Sequence, residues 1–345
     1  MKTISFILPI FNVEKYLEKC LLSIKPFLVK GHQLILVNDG STDKSLNIIN
    51  NFHKENSNYN VTIINKSNGG LSDARNAGLS KVTGDYIWFI DTDDWLDSSA
   101  VEVLKSDILN NNYDLIILGR KEIFPNKIRE IPTKLSIKNY SNGVEYFNDA
   151  IFQHKFRTQV WDKIFRTQFI KDHHLTFVKG LLYEDMLFML QTILHAQNVL
   201  VYPLYAYCYN QTNITSISKQ IRKKDLDILR FIELSDDYIK KADKSINKLS
   251  LSYNLLIFNW VSTCLLNKYV KLSLKDSEAL YIYNNAIKHP IYRRAIQICI
   301  KGNVGLRRKI FAWLLLNHPT IYKYVLILAV QIKSIHLLYA HSEEV

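Results

Sequence analysis

Apolar residues come in short unbroken runs along the first third of the chain. The runs lie at Ile4–Leu8, Leu34–Val37, Val61–Ile64, Tyr86–Ile90 and Leu115–Leu118. They are rich in β-branched or aromatic side chains, as strands buried on both faces are. Between them the spacing changes to three and four, the helical period. Val13, Leu17, Cys20, Leu21 and Ile24 follow Asn12, a good N-cap residue. Leu46, Ile49 and Phe52 follow Ser41–Asp43, and Val101, Leu104 and Ile108 follow Ser98. Alternating strands and helices predict an α/β fold: a mostly parallel sheet with helices on both faces. Such sheets bind ligands outside the carboxyl ends of their strands. The polar segments 38–43, 66–73 and 91–94 fall there. Beyond Gly119 the pattern blurs. Trp161–Ile170 reads as a strand or turn leading into a helix, and Glu184–Ala196 reads as a helix. From Lys224 on, Leu, Ile and Tyr recur at helical spacing among lysines. No internal repeat is visible.

Composition narrows the class. The chain has 345 residues, 48% hydrophobic and 22% charged, which suits a globular protein and not a disordered one. Its four cysteines form no CxxC pair and lie in apolar stretches. That excludes a zinc signature and fits reduced thiols in a cytoplasmic protein. The first apolar run is short and holds Pro9, so no secretory leader is expected. No apolar stretch reaches ~18 residues, so no transmembrane helix is expected. The nearest approach, Phe311 to Ile332, is broken by Asn317, His318, Pro319 and Lys323. The net charge of +12 is uneven: 23 basic against 22 acidic residues up to Ser218, then 21 against 10 from Lys219 on. Anionic lipid, a lipid-linked diphosphate or nucleic acid could answer that charge.

Three segments carry candidate chemistry. Asp91, Asp93 and Asp94 crowd one strand end. Their repulsion is costly without a cation, and Mg²⁺ or Mn²⁺ takes such ligands. The plainer reading is an acidic helix start. Val37-Asn38-Asp39-Gly40-Ser41-Thr42-Asp43 ends a strand in an acid before a Gly-Ser-Thr turn. Asp39 could hydrogen-bond a nucleoside, while Ser41–Asp43 reads as a turn capping the next helix. In Asn65–Asn76, the pair Gly69-Gly70 permits close backbone approach, and Arg75 lies near a helix start where phosphate could be met. The alternative there is a plain loop and a surface arginine.

Together these segments resemble glycosyltransferase family 2, of the GT-A fold, with its bacterial O-antigen and capsule enzymes. Phe6–Asn12 resembles the family's first strand and Pro-x-Tyr-Asn turn, with Phe11 in place of Tyr. Val37–Asp43 is similar to its V-x-D-G-S-x-D segment, Gly69–Gly78 to its G-x-x-x-A-R-N-x-G helix, and Asp91–Asp94 to its DxDD motif. Trp161–Phe165 resembles its W-x-K-x-[FY] segment and Glu184–Phe188 its E-D-x-x-F segment. The family stretch that usually holds an arginine before Ser-Ile-Thr has Asn210 and Gln211 here, with Ser216-Ile217-Ser218 following. That departure leaves the acceptor side open.

The resemblance implies a GT-A catalytic domain over 1–218, with a nucleotide-sugar half to about 120 and an acceptor half after it. A basic helical region over 219–345 follows. Asp39 would bind uracil, Asp91 would sit near the ribose and Arg75 would hold the nucleotide, with Pro9, Phe11, Asn68, Gly69 and Thr92 also at the donor. Asp93 would ligate Mn²⁺ or Mg²⁺. Asp185 would be the catalytic base, with Trp161, Lys163, Glu184 and Asp94 as acceptor or secondary residues. The expected reaction is inverting transfer of a hexose or N-acetylhexosamine from a UDP-sugar to a glycan or polyprenyl-diphosphate-linked acceptor. A teichoic acid or a glycoprotein is the alternative acceptor. The basic region is expected to hold the enzyme on the inner membrane face through anionic lipid. Nucleic acid is the rival partner and is not expected, because the lysines alternate with apolar residues at helical spacing.

Overall fold

The computed structural model describes residues 2–28, 31–98, 107–131, 137–213, 223–241, 250–266, 277–325 and 327–328. The chain divides into two compact units, 1–220 and 221–345.

The first unit is built on one sheet. Its strands are β1 (Ile4–Ile10), β2 (Gln33–Asp39), β3 (Asn60–Lys66), β4 (Tyr86–Phe89), β5 (Trp95–Leu96), β6 (Leu115–Phe124), β7 (Lys127–Ile131), β8 (Lys138–Tyr140), β9 (Lys163–Arg166) and β10 (Val199–Asn210). Its helices are α1 (Glu14–Ile24), α2 (Ser45–Glu55), α3 (Leu71–Leu79), α4 (Gly143–Phe152), α5 (Thr167–Asp172) and α6 (Glu184–His195). The strand order is β3-β2-β1-β4-β9-β6-β10-β5, with β7 on β6 and β8 on β10.

Period-two alternation in β1 explains the two helical layers. Phe6, Leu8 and Ile10 pack into one core with Leu17, Cys20, Leu21 and Ile24 of α1. Ile7 points to the other face, where α3 crosses. A Cβ on Gly78 of α3 would stand 2.4 Å from the Ile7 Cγ2, so only glycine lets this helix lie so close. The predicted parallel pattern holds through β3-β2-β1-β4. Beyond β4 the sheet becomes mixed: β9 runs antiparallel between β4 and β6, and β6 pairs parallel with β10.

Asn12 does not cap α1. It takes a left-handed conformation (φ 52°), and Val13 precedes the helix. Its Oδ1 accepts instead from the Thr42 backbone N–H at 2.8 Å, tying the loop after β1 to the loop after β2. The helix starts are capped reciprocally. Asp43 accepts from the Glu14 N–H at 3.0 Å, and Glu14 accepts from the Lys44 N–H at 2.8 Å. Each acid satisfies a backbone donor at the start of the other's helix. Of the helix expected over Val101–Ile108, residues 101–106 lie outside the described residues, and Asp107–Asn111 form a 3₁₀ turn.

The second unit is helical, as its spacing predicts: α7 (Asp227–Lys241), α8 (Ser250–Trp260) with a π-helical turn at Val261–Leu266, α9 (Ser277–Lys288), α10 (Pro290–Lys301) and α11 (Leu306–Asn317). Two hydroxyl pairs are buried in it, Ser235 with Tyr253 and Ser262 with Tyr292, each at 2.8 Å. Cys20, Cys208 and Cys299 are free and buried. The Cys264 side chain, Ser216–Ser218 and Tyr339 lie outside the described residues. Among the described residues no helix is long and apolar enough to cross a membrane.

Candidate active site

The polar segments gather at the carboxyl ends of β1, β2, β3 and β4. Asp39 ends β2 and is buried. Its Oδ1 accepts from the Gly69 N–H at 2.9 Å and from Lys66 Nζ at 2.5 Å, and its Oδ2 accepts from the Gly70 N–H at 2.8 Å. The carboxylate thus fixes the loop between β3 and α3. Gly40 lies beside that loop at φ 73°, and a Cβ there would come within 2.8 Å of the Asn68 backbone N. Only glycine meets both demands. Past β1, the Phe11 ring is 47% exposed at the rim of these loops. Pro9 and Thr92 join β1 to the aspartate turn, the threonine hydroxyl donating to the proline carbonyl at 3.0 Å.

Arg75 is placed differently from the expectation. It is not the surface arginine of the plainer reading but is 1% exposed on α3. Its Nη1 donates to Glu184 at 2.7 Å and to Asp185 at 2.5 Å, and its Nη2 donates to Asp91 at 2.9 Å. One guanidinium therefore gathers acids from β4's end and from the first turn of α6. Their attraction holds Arg75 charged, against the cost of burial. Burial pushes the Asp185 carboxyl up, to about 7, although Arg75 pulls it down. Burial also raises Glu184. The second oxygen of Asp185 accepts from the Val160 N–H at 3.3 Å, so the carboxylate is held on both sides.

Neutral donors oppose the crowding of Asp91, Asp93 and Asp94. Asp94 turns inward: Tyr207 donates to one oxygen and the Asn210 N–H to the other, both at 2.7 Å. Burial first, then the charges of Asp93 and Asp91, raise its carboxyl well above the usual range. The Tyr207 hydroxyl also accepts from the Asp91 N–H at 3.2 Å. Asn210 Nδ2 donates to the Asp93 carbonyl at 3.0 Å, and Asn213 Nδ2 donates to the Asp93 carboxylate at 2.8 Å.

Among the described residues no three Asp, Glu, His or Cys side chains converge as a metal cage. The donor set suits another mode, in which Mg²⁺ or Mn²⁺ takes one or two carboxylates and fills its other positions with substrate phosphate and water. Asp93, partly exposed and oriented by Asn213, fits that mode.

Trp161, Lys163, Glu184 and Asp94 are all buried, so they frame the site and do not offer a surface to an acceptor. Trp161 stacks on Tyr207 with ring centroids 4.3 Å apart. Lys163 is spent on Asp162 at 2.5 Å and on the Gln159 carbonyl at 2.6 Å.

A family model described as glycosyl transferase family 2 matches residues 5–176, which includes every strand-end segment above. The chain belongs to glycosyltransferase family 2. Among relatives of this family, GlyA of Streptococcus pneumoniae is 33% identical over 189 residues, 54% of this chain and 25% of that protein. EpsH of Bacillus subtilis, a putative glycosyltransferase, is 27% identical over 272 residues, 77% of each chain. The chain thus spans a quarter of the first relative and about three quarters of the second. The crystal structure of Staphylococcus aureus TarS 1–349 with UDP-GlcNAc matches at a TM-score of 0.73 and 21% identity, covering 96% of this chain and 92% of that one. That likeness shows the GT-A fold with a helical C-terminal region.

The family motifs name the donor side and the acid pair. They do not name Tyr207, Asn210 and Asn213, which hold the aspartate turn here. The sequence carries one signal for them: amides stand where the family stretch usually has an arginine.

Proposed function

We propose that this family 2 enzyme transfers a hexose or N-acetylhexosamine from a UDP-sugar, with inversion, to a hydroxyl of a growing bacterial surface glycopolymer. One observation carries the reading: a single buried guanidinium joins Asp91 of the aspartate turn to Asp185 on the other side of the site. Donor turn and base are thereby held in fixed register. Asp185, pushed up to about 7, suits a general base near neutral pH. It takes the acceptor hydroxyl's proton as the oxygen attacks the anomeric carbon. The bond from that carbon to the diphosphate breaks on the opposite face and UDP leaves, so an α-linked donor gives a β-linkage. Asp39 holds the 66–70 loop against the nucleotide, with Phe11, Asn68 and Gly69 beside it. A divalent cation on Asp93, when bound, offsets the charge developing on the departing diphosphate. A polyprenyl-diphosphate-linked glycan is the first acceptor class, which places the work at the inner membrane face. A polyol-phosphate acceptor is the second reading. It is favoured by the likeness of 96% of this chain to residues 1–349 of TarS, a longer protein named poly(ribitol-phosphate) β-N-acetylglucosaminyltransferase.

The test is UDP release from a panel of nucleotide sugars, with and without excess EDTA, and NMR of the product. UDP-sugar turnover that stops in EDTA and gives an inverted anomer is expected. Retained configuration would reject direct displacement, and full turnover in EDTA would remove the metal.

A further inference from the structure

The second unit contributes none of the residues above, and its charge is one-sided. Between Ala279 and Ser342 there is no Asp or Glu, while nine Lys or Arg stand there. At this chain's own frequency of 32 acids in 345 residues, about six would be expected. Mixed charges would suit a solvated surface, so a stretch with one sign only points to an anionic partner.

Helix α11 supplies the second observation. Ala312 and Leu315 are buried and dock it to its own unit. Leu306, Ile310 and Trp313 are 75%, 50% and 47% exposed, and their spacing of four and three puts them in one stripe. Arg307 and Lys309 adjoin the stripe, and the Arg307 guanidinium lies over the Phe311 ring at 5.7 Å. The next helical segment, 319–325, repeats the arrangement: Tyr322 is buried, while Ile321 and Tyr324 are exposed. Each segment thus has a packed apolar side and an exposed one.

A polyanion in water, such as a nucleic acid, would match the charge but leave Leu306, Ile310 and Trp313 without purpose. A lipid surface matches both. Basic side chains meet headgroups while a shallow apolar stripe with Trp enters the boundary below them. We propose that the exposed stripe of α11, bordered by Arg307 and Lys309, seats on an anionic lipid bilayer. The proposal deepens the reading of place given above but rests on the second unit alone, and its test uses no catalysis.

The experiment is flotation of the full chain with vesicles of phosphatidylglycerol and phosphatidylcholine, against phosphatidylcholine alone. Binding is expected to the anionic vesicles only, and to weaken with salt. Ile310→Glu with Trp313→Glu, and separately Arg307→Glu with Lys309→Glu, should each weaken it at least ~10-fold. Far-ultraviolet circular dichroism serves as the fold control and should not change. If the paired glutamates disturb folding, Trp313→Phe decides: vesicles should blue-shift the emission of the unaltered chain and not that of the variant. Three results would overturn the proposal. One is a chain that ignores anionic vesicles at low salt while its circular dichroism is that of the folded protein. The second is an Ile310/Trp313 variant that binds as the unaltered chain does, leaving a purely electrostatic polyanion surface. The third is an emission shift that persists in Trp313→Phe.

Discussion

The site holds two acidic clusters, and it relieves them in opposite ways. Around Glu184 and Asp185 the relief is a charge: Arg75 lies within 2.9 Å of both and of Asp91. Around Asp93 and Asp94 the relief is neutral, from the hydroxyl of Tyr207 and the amides of Asn210 and Asn213. A neutral donor stabilises a carboxylate without cancelling its charge, so the aspartate turn keeps its attraction for a cation. The acid pair is already partly balanced, and burial leaves it poised to take a proton. Under the proposed function the difference suits the two clusters to different jobs, cation capture and proton transfer.

Removing the proton acceptor should do most. Asp185→Asn is expected to lower kcat by at least ~10²-fold while the KM for UDP-sugar stays within a few-fold, as steady-state kinetics would show. A larger change in KM than in kcat would place Asp185 on the donor side and erase the contrast.

Removing the shared cation comes next. Arg75→Met leaves the buried Glu184 and the half-buried Asp91 and Asp185 without their partner. Breaking a buried pair this way costs about 3–5 kcal/mol, measurable by urea unfolding of the full chain. An unchanged midpoint would mean that water already compensates these acids.

The neutral clamp should have a smaller and more selective effect. Asn213→Ala, which removes the amide donor to the Asp93 carboxylate, is expected to weaken Mn²⁺ binding ~10-fold or more, the usual size when an outer partner of a metal ligand is lost. Paramagnetic resonance of free Mn²⁺ in the presence of UDP reads this directly. Equal loss of stability and no change in Mn²⁺ affinity would make the clamp purely structural.

The smallest effect is in pH. The acid limb of kcat/KM should lie near 7, because Asp185 must lose a proton to act and burial holds that proton on. The same raised value makes the folded state bind a proton the unfolded chain releases near 3.9. Stability from this group is therefore full below about 4 and lost as pH rises through about 7. A limb near 4 would return Asp185 to an ordinary exposed carboxylate.

How much of this was legible follows from sequence distance. The runs Ile4–Leu8, Leu34–Val37, Val61–Ile64 and Tyr86–Ile90 are local signals, and each became a strand in the parallel half. Strand β9 was harder to see, because its four residues begin with Lys163, a buried lysine that reads as surface. Asn12 misled because a residue suited to capping spends its side chain on Thr42 instead. Asp39 was legible as a strand-end acid, whereas its hold on Gly69 and Gly70 spans some 30 residues. Arg75 meets Glu184 across 109 positions and Tyr207 meets Asp94 across 113. No periodicity reports such pairs. The acid crowding was legible in the sequence, whereas the neutral donors opposite it, more than 100 positions away, were not.

The crossed caps of Glu14 and Asp43 have a consequence for inheritance. Each acid serves the helix that the other begins, so loss of either frees a backbone donor on the neighbouring segment. Yet each acid accepts from a backbone N–H, which every residue but proline supplies, so a change at one position leaves the other cap and the Asn12–Thr42 tie in place. A lineage can therefore lose the two acids one at a time. In a library of variants the double substitution should survive about as often as the product of the two single rates.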